Sequence, residues 1–202
     1  MFRSGKARIA ILAATAAGAL ALAGTAAPAY AGTGQGTTVT AGSGSHGGMS
    51  PNNSPVAPSV ITQNEQAAFN YFVGKGLTAE QSAGIIGNLD QESGMDPTIW
   101  QYGGGPGRGI AQWSAGGRWD TDPGDNVAEF AAGGNVYDLT LQLNFIWFEL
   151  TSFPGYGLGD LQAAGTIDDA VLAFQDKYEI CGACNSTNRI NFAHAAYDAY
   201  AG

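Results

Sequence analysis

Basic residues are scarce in this chain, and so are cysteine, histidine and any long apolar run. Eight lysines and arginines stand against seventeen acidic residues, a formal net charge of −9. Three of the eight (Arg3, Lys6 and Arg8) precede residue 32, which leaves five against seventeen, or −12, in the remainder. Such a surface cannot neutralise phosphates, so nucleic acid is excluded as a partner. No basic patch is present to draw the chain onto anionic lipid either. The acidity serves solubility, and binding to any polymer must come from short-range contacts. The histidines, His46 and His194, and the cysteines, Cys181 and Cys184, show no zinc-ligand spacing. No metal and no other cofactor is expected.

The one apolar run, Ile9 to Ala23, is too short and too rich in alanine for a comfortable membrane span. It follows a basic start and leads to Ala29-Tyr30-Ala31, a small-x-small cleavage pattern, so residues 1–31 read as a signal peptide. Residues 32–60 hold Gly, Ser, Thr, Pro and Asn with almost no apolar bulk, the composition of a flexible, disordered linker. Residues 61–202 remain, enough for one domain with a single core. The expected product is secreted and extracellular, a monomer with no stable membrane insertion once the signal is cleaved. After export, Cys181 and Cys184, three positions apart, predict a small-loop disulfide. No strand-then-helix context marks them as a redox pair.

Helix signals dominate the folded part. Thr62 with Glu65 reads as a capping box opening a helix that carries Phe69, Phe72 and Val73 and ends at Gly74 or Gly76. Thr78 with Gln81 is a second box. Its helix steps through Ala79, Ala83, Ile86, Leu89 and Asp90, the last a polar exception, and stops at Gly94 in a left-handed cap. Residues 95–119 are crowded with glycine and predict loop with at most a short hairpin. A brief helix is expected at 126–132, and a longer one at 135–150 with Leu139, Leu143, Ile146 and Leu150 in one stripe. Thr166 and Asp169 cap another, and 187–200 predicts the last. The fold class is mainly α, with five or six helices around one core.

The stretch from Asn88 to Trp113 carries the chemistry. Glu92 ends an apolar helical run at the negative end of the helix dipole, facing a loop of glycines and aromatics. A carboxyl kept neutral by apolar neighbours suits proton delivery to a glycosidic oxygen. The same residues equally fit a solvated glutamate at a polar helix end. A second carboxylate would be the usual companion. Asp90, Asp96, Asp120, Asp122 and Asp125 are available, and none stands out. Trp100, Tyr102 and Trp113 are candidate stacking platforms for sugar faces, although Trp113 fits a loop-pinning role as well. Trp147, Phe174 and Tyr178 read as core, and Arg118 as the structural partner of a nearby carboxylate or carbonyl.

Glu92-Ser93-Gly94-Met95-Asp96-Pro97, followed by Gly109-Ile110-Ala111-Gln112, resembles a known signature. It is that of the lysozyme and lytic transglycosylase superfamily, Glu-Ser-x-Phe-x-Pro then Gly-(Leu/Ile)-x-Gln. More closely, the chain resembles the phage tail lysozyme family. The resemblance runs through LTAEQSAGIIGNLDQESGMDP, GRGIAQWSAGGR, LQLNFIWFEL, and AFQDKYEI followed by Arg189, over roughly residues 63 to 200. It implies a lysozyme-like helical domain with the glycine-rich loop or hairpin lining a cleft. It implies cleavage of the β-1,4 bond between N-acetylmuramic acid and N-acetylglucosamine in peptidoglycan glycan strands, at the cell wall. Glu92 would be the general acid, and Ser93 and Gln112 would line the cleft near the reacting sugar. Met95 replaces the phenylalanine of the pattern, apolar for apolar. Members of the transglycosylase type work with one acid, the sugar's own 6-hydroxyl or 2-acetamido group replacing the second carboxylate.

Two other classes compete. One is a cysteine peptidase using Cys181 or Cys184 with His194, which requires a free thiolate beside the imidazole. The other is a non-catalytic module that binds cell-wall glycan without turnover.

Overall fold

The computed structural model describes residues 56–202. The expected signal peptide and most of the expected linker lie outside the described residues. The first helix, α1 (Pro58–Gly74), starts at a proline, whose fixed φ and missing N–H suit a first helical position. The expected start at Thr62 is therefore corrected. Thr62 lies one turn inside, its hydroxyl donating to the Pro58 carbonyl at 3.1 Å. Glu65 is not a capping partner but accepts from the Tyr200 hydroxyl at 2.8 Å. The stretch is helical because Pro58 nucleates it earlier than the box would.

The second helix, α2 (Ala79–Ser93), is the central element. Its capping box forms as the sequence predicts: Gln81 N–H donates to Thr78 Oγ1 at 3.2 Å, and Thr78 N–H to Gln81 Oε1 at 3.0 Å. Positions 81 to 89 are all buried. Ile85, Ile86 and Leu89 have no exposed surface, and burial of each is worth about 2 kcal/mol. The helix ends at Gly94, φ 57°, in the expected left-handed cap. Its polar and small positions also have work to do. Gly87 lets the backbone of the last helix come into contact, since a Cβ there would meet Ala193 N at 2.7 Å.

The glycine-rich loop closes as the short hairpin anticipated. Strands β1 (Gly107–Arg108) and β2 (Trp113–Ser114) pair antiparallel, with Arg108 opposite Trp113. Gly109 turns the chain between them at φ 68°, and a Cβ there would press against the Gln142 amide at 2.8 Å. Helix α3 (Val127–Ala131) is capped by Asn126, whose side chain accepts from Glu129 N–H at 2.7 Å.

Helix α4 (Leu139–Ser152) starts at the first residue of the apolar stripe, four residues later than the expected bound at 135. Asn135 instead forms a turn by accepting from Tyr137 N–H at 3.1 Å, and Asp138 takes the cap at Leu141 N–H, 2.8 Å. Helix α5 (Leu158–Ala163) was not anticipated, because four glycines in and around it mask its apolar step. Helix α6 (Ile167–Phe174) is capped by Thr166 as expected and widens into a π turn, Gln175–Glu179. Helix α7 (Ser186–Tyr200) closes the domain. The described residues thus hold seven α-helices, mainly helical as the sequence predicts, with α2 packed against α1, α6 and α7. No described helix is long and apolar enough to cross a membrane.

Candidate functional site

A groove of about 1100 Å³ opens where the end of α2 meets the hairpin, the π turn and the cysteine loop. Glu92, Ser93, Trp100, Tyr102, Gln112 and Trp113, scattered over 22 positions of sequence, all line it. They differ in how far each is already committed to the fold.

Glu92 is half-buried on the last turn of α2 and forms an ion pair with the Arg189 guanidinium of α7. The expected setting, a carboxyl closed in by apolar side chains, is corrected here, for its nearest partner is a cation. Arg189 is itself buried and held on three sides. Its Nε donates to the Cys184 carbonyl at 2.6 Å, one Nη to Asn88 Oδ1 at 2.9 Å and the other to Glu92. Asn88 is fixed in turn by donating to the carbonyls of Gly84 (2.8 Å) and Val171 (3.1 Å). Glu92 is therefore positioned through a buried chain of polar contacts, with every link hydrogen-bonded. Neither Arg108 nor Arg118 takes part. Arg108 donates to Gly105 and Gly107 carbonyls, both at 2.8 Å, with its guanidinium 3.9 Å over the Trp100 ring.

The Ser93 hydroxyl donates back to the Leu89 carbonyl at 3.0 Å, so the side chain is tied to its own helix. Gln112, at φ 48°, donates to the Gly109 carbonyl at 3.0 Å and stiffens the hairpin tip. Trp100 presents a ring with Arg108 stacked on it, its Nε1 donating to the Tyr137 hydroxyl at 3.2 Å. Tyr102 stands at the rim, 70 % exposed, and is the most open aromatic of the set. Trp113 is corrected from platform to pin. Only 2 % exposed, it packs on Trp119 and edge-on to Phe145, and its Nε1 donates to the Tyr178 hydroxyl at 3.2 Å.

Arg118, which also lines the groove, meets the carboxylate that the sequence anticipated. Its Nε donates to Glu149 Oε1 at 2.7 Å, and the Tyr178 hydroxyl donates to the other oxygen. The guanidinium also lies 4.6 Å over both the Tyr156 and Tyr178 rings. Glu149 has no exposed side-chain surface, and burial pushes its carboxyl up to about 7 against the opposing pull of Arg118. Tyr178 is core, as expected.

Of the five candidate aspartates, only Asp122 lines the groove. Asp96 accepts from Thr98 N–H and hydroxyl, both at 2.8 Å, and so serves as a turn residue. Asp120 accepts from Gly116 N–H at 2.7 Å, and Asp125 from the Tyr156 hydroxyl at 2.6 Å. Asp90 lies away from the groove, where burial and the nearby Glu65 charge raise it to about 8.

Glu179 was missed. It ends the π turn and lines the groove, and its carboxyl is raised to about 8, first by burial and then by repulsion from Glu92. Helical periodicity does not register a π turn, so nothing in the pattern separated it from a surface glutamate. Arg189 and Gln142 were likewise given no role. Gln142 is fully buried and accepts from Ile110 N–H at 2.9 Å while donating to the Pro97 and Val136 carbonyls, which clamps the hairpin.

Cys181 and Cys184 are joined in a disulfide, and Cys181 lines the groove. No free thiol is left for a cysteine peptidase. His194 pairs instead with Asp168 at 2.7 Å on the exposed side of α7, so that alternative is withdrawn.

A helical domain with a glutamate at a helix end, facing a short hairpin across a groove, is a lysozyme-like domain. The chain belongs to the phage tail lysozyme family, whose family model matches residues 63–200. No curated protein matches it. Family membership makes the domain lysozyme-like and peptidoglycan-degrading in general terms.

Proposed function

We propose that this domain cleaves the β-1,4 bond between N-acetylmuramic acid and N-acetylglucosamine, with Glu92 as the general acid. The observation that carries the reading is the convergence of Glu92, Ser93, Gln112 and Tyr102 on one groove. Glycan strands of a secreted enzyme's target wall would lie along that groove, with Tyr102 offering an open ring face to a sugar. Glu92 protonates the bridging oxygen, C1 of the muramoyl ring gains oxocarbenium character, and an attacking hydroxyl completes the exchange. That hydroxyl belongs either to water or to the muramoyl 6-position. The first outcome makes the protein a muramidase, the second a lytic transglycosylase, and the protein acts as a monomer in both.

Digestion of purified peptidoglycan followed by mass spectrometry tests this directly. Reducing ends and 1,6-anhydro ends differ by one water, so the fragments report the outcome. Glu92→Gln should lower turnover by about a thousandfold while the circular dichroism spectrum is unchanged. Wild-type-like turnover in that variant would refute the assignment. Wild-type protein that binds walls but releases no fragments would make this a glycan-binding module instead.

A further inference from the structure

Three carboxylates among the described residues have an oxygen shielded from solvent that accepts no hydrogen bond: Asp90, Asp125 and Glu179. Only Glu179 lines the groove. An unpartnered buried carboxyl oxygen is costly to the fold, and a site that will offer it a hydroxyl proton is a reason to keep one. The π turn that places it there is itself a departure from regular helix of the kind found near functional sites.

We propose that Glu179 is the second carboxyl of the reaction, the base that takes the proton of the attacking hydroxyl as Glu92 gives its own to the leaving oxygen. This rests on the glycosidase reading above. The charged groups acting on Glu179 come from four elements. Glu92 of α2 and Glu149 of α4 repel its charge, while Arg118 after β2 and Arg189 of α7 favour it. Burial is the largest influence, and with Glu92 ionised it holds Glu179 up at about 8. When Glu92 carries a proton its repulsion vanishes, and two guanidiniums are left to stabilise a Glu179 carboxylate. The charge on Glu92 therefore decides how readily Glu179 gives up its proton.

The step balances. The O–H bond of the water or 6-hydroxyl breaks, its proton passes to Glu179, and its electron pair forms the new bond to C1. The bond from C1 to the leaving oxygen breaks, and that oxygen takes the proton of Glu92. The pair ends with Glu179 protonated and Glu92 ionised, the form in which Glu92 pairs with Arg189. Proton exchange with solvent resets it.

The test compares wild type, Glu179→Gln, Glu179→Ala and Glu92→Gln on purified peptidoglycan. Glu179→Gln should lose at least about 100-fold in kcat with KM little changed. Wild type should show a bell-shaped pH profile, because the reaction needs one carboxyl ionised and the other protonated. Residual activity of Glu179→Gln should lack the acid limb. Sodium azide should restore turnover to Glu179→Ala and leave a glycosyl azide, since azide attacks without needing a base. Independently of activity, carbon-13 NMR of Glu92→Gln should show Glu179 titrating at least about one pH unit lower than in wild type. A near-normal kcat in Glu179→Gln, or an unmoved Glu179 titration in Glu92→Gln, overturns the assignment. If Glu179→Gln fails to fold, the titration still decides. An active wild type with an active Glu179→Gln removes only Glu179, whereas an inactive wild type removes the glycosidase reading.

Discussion

Asp90→Asn should make this protein more stable, and by an amount that depends on pH. Asp90 sits on α2 with one oxygen shielded and unpartnered, beside Glu65 of α1 and near enough to Tyr200 of α7 to raise that phenol. Its folded carboxyl titrates at about 8, against about 3.9 for an aspartate in an unfolded chain. Between those values the folded protein keeps a proton that the unfolded chain has released. Stability from this group is thus fully present below about pH 4 and drains away at about 1.4 kcal/mol per pH unit up to about pH 8. At pH 6, about two units into that window, the deficit is roughly 3 kcal/mol. Asparagine has the shape of the protonated acid and does not titrate, so it removes the deficit. Urea midpoints for wild type and variant at pH 3.5, 6 and 8 measure the difference, in which all other titrations cancel. The curves should coincide near pH 3.5 and diverge in favour of the variant as pH rises. A variant no more stable at pH 6, or a difference that ignores pH, would refute the reasoning.

Two further perturbations act on the supports of the groove. Gln142→Ala strands the Ile110 N–H and two carbonyls, so denaturant melts should show a loss of about 3 kcal/mol, and peptidoglycan release should fall as the hairpin loosens. A melt within about 0.5 kcal/mol of wild type would show that water replaces the amide. Cys181→Ser with Cys184→Ser opens a small covalent loop worth about 2 kcal/mol. It should also depress turnover, because the Cys184 carbonyl anchors Arg189. Full activity in the double variant would mean that Arg189 keeps its place without the loop.

The helices were legible where a cap and a period agreed. Thr78 with Gln81 and Thr166 with Asp169 mark their helices because side-chain and backbone signals coincide within one turn. Thr62 with Glu65 carried the same letters and misled, since Pro58 had already started the helix and tertiary contacts claimed Glu65. Within the site, Glu92 and its neighbours were found because they lie in one contiguous stretch. Glu179 and Arg189 come from 87 and 97 positions further on, and only the packing of α6 and α7 onto α2 brings them to the groove. The burial of Trp113 was equally out of reach, because Tyr178 and Phe145, which enclose it, are supplied by other segments. Local pattern reports what a residue is; partners across the fold decide what it can do.

The clasp between Gly87 and the last helix has a temporal side. A ribosome delivers this polypeptide from its amino end, and residues up to 185 can emerge without the guanidinium that steadies Glu92. A product terminated before the last helix lacks the cation that pairs with Glu92, and it should release no fragments from peptidoglycan.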